Sequence, residues 1–256
     1  MIDPRAVVAP QAQLGEGVTV GPFTVIGPDV VIGARTRVGP HVVIDGHTRI
    51  GADNEIFQFA SLGAAPQDKK YKGEPTQLLI GDRNIFREFC TMNRGTAQGH
   101  GHTSIGSDCL FMAYTHVAHD CRIGDKVILA NCATMGGHVQ IGDWVQLGGL
   151  SAIHQYCKVG AHAFVAGGAV LTRDLPPYVM IAGNPAEPVA INSEGLKRRG
   201  FSPEQIRNLR TAYRILYRSD LKLADAVAQL TSLARENTEV QPLLDFIEAS
   251  TRSLVR

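Results

Sequence analysis

The stretch VTVGPFTVIGPDVVIGARTRVGPHVVI, residues 18–44, places an aliphatic side chain at Val20, Ile26, Ile32, Val38 and Ile44, one every six residues. A period of six suits neither an amphipathic helix, which turns every 3.6 residues, nor a plain strand, which alternates every two. Short strands bent at regular corners suit it. Outward from this stretch the phase runs back through Leu14 and Val8 to Ile2 and forward through Ile50 and Ile56 to Leu62. It resumes at Ile80, Phe86 and Met92, then restarts at Ile105 and continues through Phe111, Val117, Ile123, Leu129, Met135, Ile141, Leu147, Ile153, Val159 and Val165 to Leu171. Roughly twenty-six repeats result, and such internal repetition is the mark of a solenoid.

Glycine often follows the aliphatic position, as at Gly21, Gly27, Gly33 and Gly39. Four residues after each aliphatic comes a small or β-branched side chain, such as Val18, Thr24, Val30, Thr36, Thr115 and Ala133. Cys90, Cys109, Cys121 and Cys157 fall in that class, and no CxxC pair occurs, so the cysteines read as scaffold rather than as zinc ligands or disulfides. Three short strands make a rung of 18 residues, and rungs stack at ~4.8 Å, the spacing of paired strands. Residues 18 apart are then vertical neighbours.

Two stretches break the phase, Gly63 to Leu79 with PQDKKYKGEPT and Arg94 to Ser104 with GTAQGHGHT. A solenoid accommodates insertions only as outward loops on one edge, where function is commonly placed. After Pro176-Pro177 the repeat stops. Ser202-Pro203-Glu204-Gln205 reads as an N-cap, a first-turn proline and a capping box, opening a helix with Ile206, Leu209, Ala212, Tyr213 and Leu216 on one stripe. Two further helices are expected near Leu223 to Arg235 and Val240 to Ser250. The expected organisation is a β-helix over residues 1–190 and a small α-helical domain over 191–256.

Twenty-five basic against 24 acidic residues argue against a nucleic-acid partner held by net charge. No apolar run of signal-peptide length opens the sequence and none of about 18 residues occurs within it, so a soluble, cytoplasmic protein without a transmembrane segment is expected.

Stacking by 18 gives the chemistry a location. Gly137 falls above His119, His138 above Asp120, and His154 above Gly136, with His116 nearby on its own rung. A lone surface histidine is usually solvated and inert; a cluster drawn together by the fold is more informative. Neutral imidazole suits removal of a proton from an alcohol or amine attacking a carbonyl, which makes His119 the candidate base. Gly137 has no side chain to block a reacting carbon, and its N–H is placed to donate to an oxyanion. Asp120 is available to orient His119, although neighbours on a strand point oppositely. A second column, Asn131, Gly149 and Gly167, becomes nearly bare of side chains at its upper end and suits a long acyl chain; repeat economy explains it equally well. Gln67, Asp68, Lys69 and Lys70 carry both charge signs on the first excursion, and the NSEGLKRR run, residues 192–199, offers arginines for a diphosphate or phosphopantetheine.

The ordered strings DKKYKGEPT, HVAHDC, MGGHVQIGDW, IHQYCKVGAHAFV, GNPAEP and NSEGLKRRGFS resemble those of the bacterial UDP-N-acetylglucosamine O-acyltransferases that begin lipid A synthesis, over essentially the whole chain. The resemblance implies a left-handed parallel β-helix of hexapeptide repeats, a homotrimer with sites between subunits, and no metal or cofactor. It implies transfer of an (R)-3-hydroxyacyl group from acyl carrier protein to the 3-hydroxyl of UDP-N-acetylglucosamine. By matching motif positions, His119 is the base, Asp120 its partner and Gly137 the oxyanion donor. Gln67, Asp68, Lys70, His116, His138, His154 and Gln155 line the site. Asn192, Glu194, Arg198 and Arg199 serve the nucleotide or the carrier arm, and Gly167 leaves room for a long acyl chain. Asn93 departs from the pattern, which usually has histidine there.

Two competing enzymes share the helix. A γ-type carbonic anhydrase needs three ligands on one metal, yet His119 stacks on Gly137 and then Gln155, and the excursion before Ile105 breaks the register of His102 with His138. The N-acyltransferase acting later in the same pathway normally carries a domain before its repeats. A purely structural solenoid leaves the clustered histidines unexplained.

Overall fold

Each inward aliphatic sits on a strand only two to four residues long, because the chain must bend before a third side chain can point into the narrow core. The computed structural model describes all 256 residues. The strands form three parallel sheets, the faces of a triangular prism: a first face opening with Val7–Val8, a second with Gln13–Leu14 and a third with Thr19–Val20. Register follows the 18-residue rung, as in Val7↔Val25 and Thr19↔Arg37. The aliphatic phase is borne out: Val20, Ile26, Ile32, Val38, Phe111, Met135 and Leu171 fill one buried column system, each side chain stabilising the fold by about 1.5–3 kcal/mol on transfer from water.

Inward corner positions also hold polar atoms, and backbone groups satisfy them. Thr24 donates to the Gly39 carbonyl at 2.7 Å and accepts the Val42 N–H at 3.1 Å. Asn54, Asn84 and Cys109 continue such a ladder. Burial pushes the Cys109 thiol up to about 11 and Cys121 to about 12, so these cysteines are inert scaffold.

Many outward corner residues adopt φ near +60°, a conformation that disfavours L-residues. Stacking between rungs offsets that cost. Phe23, His41, Phe59, Phe89 and Tyr114 form a continuous ring stack at the third–first corner, with centroids 4.7 to 5.3 Å apart. At the second–third corner Arg35 grips Asp53 and Arg83 grips Asp108, each through two hydrogen bonds.

Both excursions leave at the first–second corner. Pairing spacing rises from 18 to 30 at His47↔Gln77 and to 25 at Gln77↔His102, so 12 and 7 residues leave the rungs. They are narrower than the phase break suggested. Gly63 and Ala64 remain in strand Ser61–Ala64, Gln77 to Leu79 in Gln77–Ile80, and His102 to Ser104 in His102–Ile105. Strands flanking a loop need not bend at once, so they run longer and still pair.

Beyond the repeat, Val179–Ala182 extends the third face in parallel and Glu187–Ile191 returns antiparallel. Four helices follow: α1 (Ser193–Arg198), α2 (Pro203–Tyr217), α3 (Leu223–Glu236) and α4 (Gln241–Ala249). The capping box forms in full, Ser202 Oγ accepting from Gln205 N–H at 3.1 Å and Gln205 Oε1 accepting from Ser202 N–H at 2.9 Å. No helix is long and apolar enough to cross a membrane.

Candidate active site

His119 and Asp120 occupy the first–second corner, between strands His116–Val117 and Arg122–Ile123. Strand alternation does not govern them. Asp120 has φ +60°, which turns the backbone so that both side chains emerge together. His119 Nδ1 lies 2.8 Å from Asp120 Oδ2. The carboxylate accepts, so Nδ1 carries the proton and Nε2 keeps a free lone pair.

Asp120 is fully buried, and the second excursion supplies its donors. Thr96 N–H lies 3.1 and 3.2 Å from the two oxygens, Thr96 Oγ1 2.7 Å from Oδ2, and His100 N–H 3.0 Å from Oδ1. Gly99 must be glycine, because a Cβ there would lie 2.3 to 2.7 Å from the carboxylate. Burial alone would raise the Asp120 pKa, but the bonds from Thr96, His119 and His100 outweigh it and hold the carboxyl below its usual range.

One rung up, a Cβ on Gly137 would lie 2.6 Å from His119 Cε1, so the imidazole rests against bare backbone. The Gly137 N–H has no partner within the chain. His138 Nε2 lies 3.7 Å from Asp120 Oδ2 and its ring is stacked on Tyr156 at 4.4 Å. Burial lowers the His138 pKa, with His119 and His100 adding to the effect and Asp120 opposing it. The ligand atoms of His119, Asp120 and His138 lie within 4.8 Å of one another, a spacing that suits a metal ion. Both carboxylate oxygens already accept hydrogen bonds from Thr96, His100 and His119, however, so the donor set fits a hydrogen-bonded pair better than a coordination cage.

The other sequence-predicted residues divide by location. His116 Nδ1 is 2.7 Å from Thr91 Oγ1, and burial, with His119 beside it, lowers its pKa. His154 and Gln155 are exposed at the same edge two rungs above His119's own rung, His154 Nδ1 meeting the Gln155 carbonyl at 3.0 Å; no hydrogen bond joins them to the His119–Asp120 pair. Gln67, Asp68 and Lys70 lie on the first excursion. The Asp68 charge reaches His138, and Asp68 Oδ1 accepts the Lys70 N–H at 2.9 Å. Arg94 holds this loop, donating to Tyr71 Oη at 3.0 Å and the Gly63 carbonyl at 2.8 Å. Asn93 is buried and donates to the Ala65 carbonyl at 3.1 Å.

Asn192, Glu194, Arg198 and Arg199 lie elsewhere. They line a cavity of about 560 Å³ against the outward side chains of the third face, with Trp144, Phe164 and Met180. Arg199 packs over Trp144 at 5.2 Å and donates to His162 Nδ1 at 3.2 Å. Burial, then the Arg199 charge, pushes the His162 pKa down to about 4. Asn192 ties α1 to the helix through the His162 carbonyl at 2.9 Å. In a triangular prism the first–second corner lies opposite the third face, so this cavity and His119 look out on different sides of one chain. Gly149 and Gly167 form a third location, at the third–first corner, where an added Cβ meets nothing nearer than 3.3 Å.

Sequence reasoning missed Thr96, Gly99, His100, Trp144 and His162. The glycine and histidine run of the second excursion, beside the HVAHDC corner, was the available signal for the first three.

Family models agree with this geometry. The model described as "Udp N-acetylglucosamine O-acyltransferase; Domain 2" matches residues 174–255, and the six-repeat bacterial transferase hexapeptide model matches 11–46 and 102–137. The acyl-[acyl-carrier-protein]--UDP-N-acetylglucosamine O-acyltransferase of Janthinobacterium sp. (strain Marseille) is 57% identical over 260 residues, covering 100% of this chain and 99% of its own. That of Thiobacillus denitrificans is 57% identical over 255 residues, with the same coverage. The solved UDP-N-acetylglucosamine O-acyltransferase of Moraxella catarrhalis superposes with a TM-score of 0.98 at 43% identity, covering 100% of this chain and 99% of that one. The prism is accordingly a left-handed parallel β-helix with a C-terminal helical domain. The chain is an acyltransferase and belongs to the UDP-N-acetylglucosamine O-acyltransferase family.

Proposed function

We propose that this protein transfers an (R)-3-hydroxyacyl chain from acyl carrier protein to the 3-hydroxyl of UDP-N-acetylglucosamine, the opening step of lipid A synthesis, in the cytoplasm. The observation that carries the chemistry is the His119 imidazole, bonded at Nδ1 to a buried carboxylate and resting on Gly137. Nε2 takes the proton of the sugar hydroxyl as its oxygen attacks the thioester carbonyl carbon. The carbonyl oxygen becomes an oxyanion facing the free Gly137 N–H. Collapse re-forms the carbonyl, breaks the carbon–sulfur bond and expels the carrier thiolate, which recovers the proton from His119. Asp120 stabilises the transient imidazolium without taking the proton itself.

The active enzyme is a homotrimer. Placing the corner of one chain against the third face of its neighbour brings His119 to Arg198 and Arg199, which hold the diphosphate, with Asn192 and Glu194 on the rest of the nucleotide. Gly149 and Gly167 leave a strip open to the acyl chain. Purified His119→Ala, assayed with hydroxyacyl carrier protein and UDP-N-acetylglucosamine, should lose about 10²- to 10⁴-fold in kcat. Near-native turnover in a folded trimer overturns the assignment.

A further inference from the structure

Arg94 stands one rung below the candidate base: Met92 pairs with Val117, and Arg94 and His119 each lie two residues beyond that pair. It follows strand Thr91–Asn93 and opens the second excursion, two residues before Thr96. Its guanidinium nevertheless bonds to the first excursion, and at both ends of it. Nη1 donates to the Gly63 carbonyl at 2.8 Å, where that loop leaves, and Nε to Tyr71 Oη at 3.0 Å, where it returns. Asn93 adds a second tie at the leaving end through the Ala65 carbonyl at 3.1 Å. Tyr71 carries the returning end, its hydroxyl donating to the Glu74 carbonyl at 2.6 Å and its N–H to the Asp68 carbonyl at 3.1 Å. The slot for the guanidinium needs glycine below it. Gly46 has φ +62°, and a Cβ there would lie 2.5 Å from Arg94 Nη1. Gln67 to Lys70 therefore form a bridge between two fixed ends, and from that bridge the Asp68 charge reaches His138.

We infer that Arg94 is a positioning residue for acyl transfer, a latch that fixes the first excursion so that Asp68 and Lys70 face the edge carrying His119 and His138. This rests on the acyltransferase reading. Arg94 acts through Gly63 and Tyr71, not on a reacting atom. Twelve residues leave the rungs here, and a free loop of that length would have to be ordered by the substrate at each turnover. The latch removes that cost beforehand. It also holds contact residues to the accuracy that chemistry needs, since a shift of about 1 Å costs about 10²-fold in rate.

The test pairs Arg94→Ala with Tyr71→Phe, which removes only the hydroxyl that Nε reaches and leaves the second excursion intact. Activity is measured with hydroxyacyl carrier protein and UDP-N-acetylglucosamine, and the loop is read separately by trypsin cleavage after Lys69, Lys70 and Lys72. Arg94→Ala should lose about 10²-fold in kcat/KM and Tyr71→Phe about 10-fold. The double variant should lose no more than Arg94→Ala alone, because both changes cut one tie. Each variant should be cleaved faster at the three lysines, with cleavage elsewhere at the wild-type rate. Methylguanidinium should restore part of the activity of Arg94→Ala and none of that of Tyr71→Phe. Wild-type kcat/KM and wild-type cleavage in Tyr71→Phe overturn the inference, even where Arg94→Ala does not fold. So does lost activity at an unchanged cleavage rate, which would put Arg94 on the substrate itself. The cleavage arm needs no substrate: faster cleavage in the variants, beside a wild type that transfers no acyl group, would sink the acyltransferase reading and leave the latch standing.

Discussion

At the corner where Asp120 turns, one buried carboxylate accepts four donors from Thr96, His100 and His119, and the order of those bonds sets the chemistry of the base. Thr96→Val keeps the side-chain volume and removes the hydroxyl 2.7 Å from Oδ2. A hydrogen bond to a charged group contributes about 1.5–3 kcal/mol, so without it the anion is less stable and the His119–Asp120 pair binds a proton more tightly. The neutral imidazole is the active form. The acid limb of the kcat/KM profile should therefore move to higher pH by about 0.5–1 unit, with the KM for UDP-N-acetylglucosamine unchanged. A uniform loss of activity at every pH would reduce Thr96 to a packing role. His119 and Gly137 were legible in the sequence because an interval of 18 needs no coordinates. The Asp120 contact was offered there against strand alternation and through the resemblance alone, because alternation fails where φ is positive. Thr96 was out of reach for another reason: it lies in a stretch with no period, so counting cannot place it.

Elements repeat that lesson. Inward positions alternate with corners under one steric rule, and the hexapeptide phase therefore located nearly every strand, while Ser202 and Gln205 located the start of α2 through side chains that act locally. The hairpin of Val179–Ala182 and Glu187–Ile191 had no such rule; it exists because the last rung of the third face needs covering. The pocket beside it should respond to pH. His162 titrates near 4 in the folded chain, against about 6.5 when unfolded. Between those values the unfolded chain binds a proton that the folded chain excludes, so stability falls as pH drops through that window, by up to about 1.4 kcal/mol per unit for this group. Trp144, the single tryptophan, is stacked near His162 at 6.3 Å and reports the pocket directly. Its fluorescence midpoint in urea should decline between pH 6.5 and 4.5 in the wild type, and His162→Gln should flatten that decline. Parallel slopes for the two proteins would show that His162 titrates normally.

For the molecule as a whole, the decisive fact is separation. His119 occupies one edge of the prism, and the Asn192 to Arg199 cavity lies against the opposite face. A sequence shows which residues share a column but not which column meets another chain, so the resemblance implied sites between subunits without saying which subunit supplies each residue. In the closed ring of three chains proposed above, each corner would meet the third face of its neighbour. Chains carrying His119→Ala have a native cavity, and chains carrying Arg199→Ala have a native corner. Either homotrimer should be nearly inactive. Dissociating the two, mixing them equally and letting trimers re-form should recover about a quarter of wild-type activity: three quarters of the trimers are mixed, and each mixed ring contains one interface that joins a native corner to a native cavity. If corner and cavity served the same chain, every site in the mixture would carry a lesion and no activity would return.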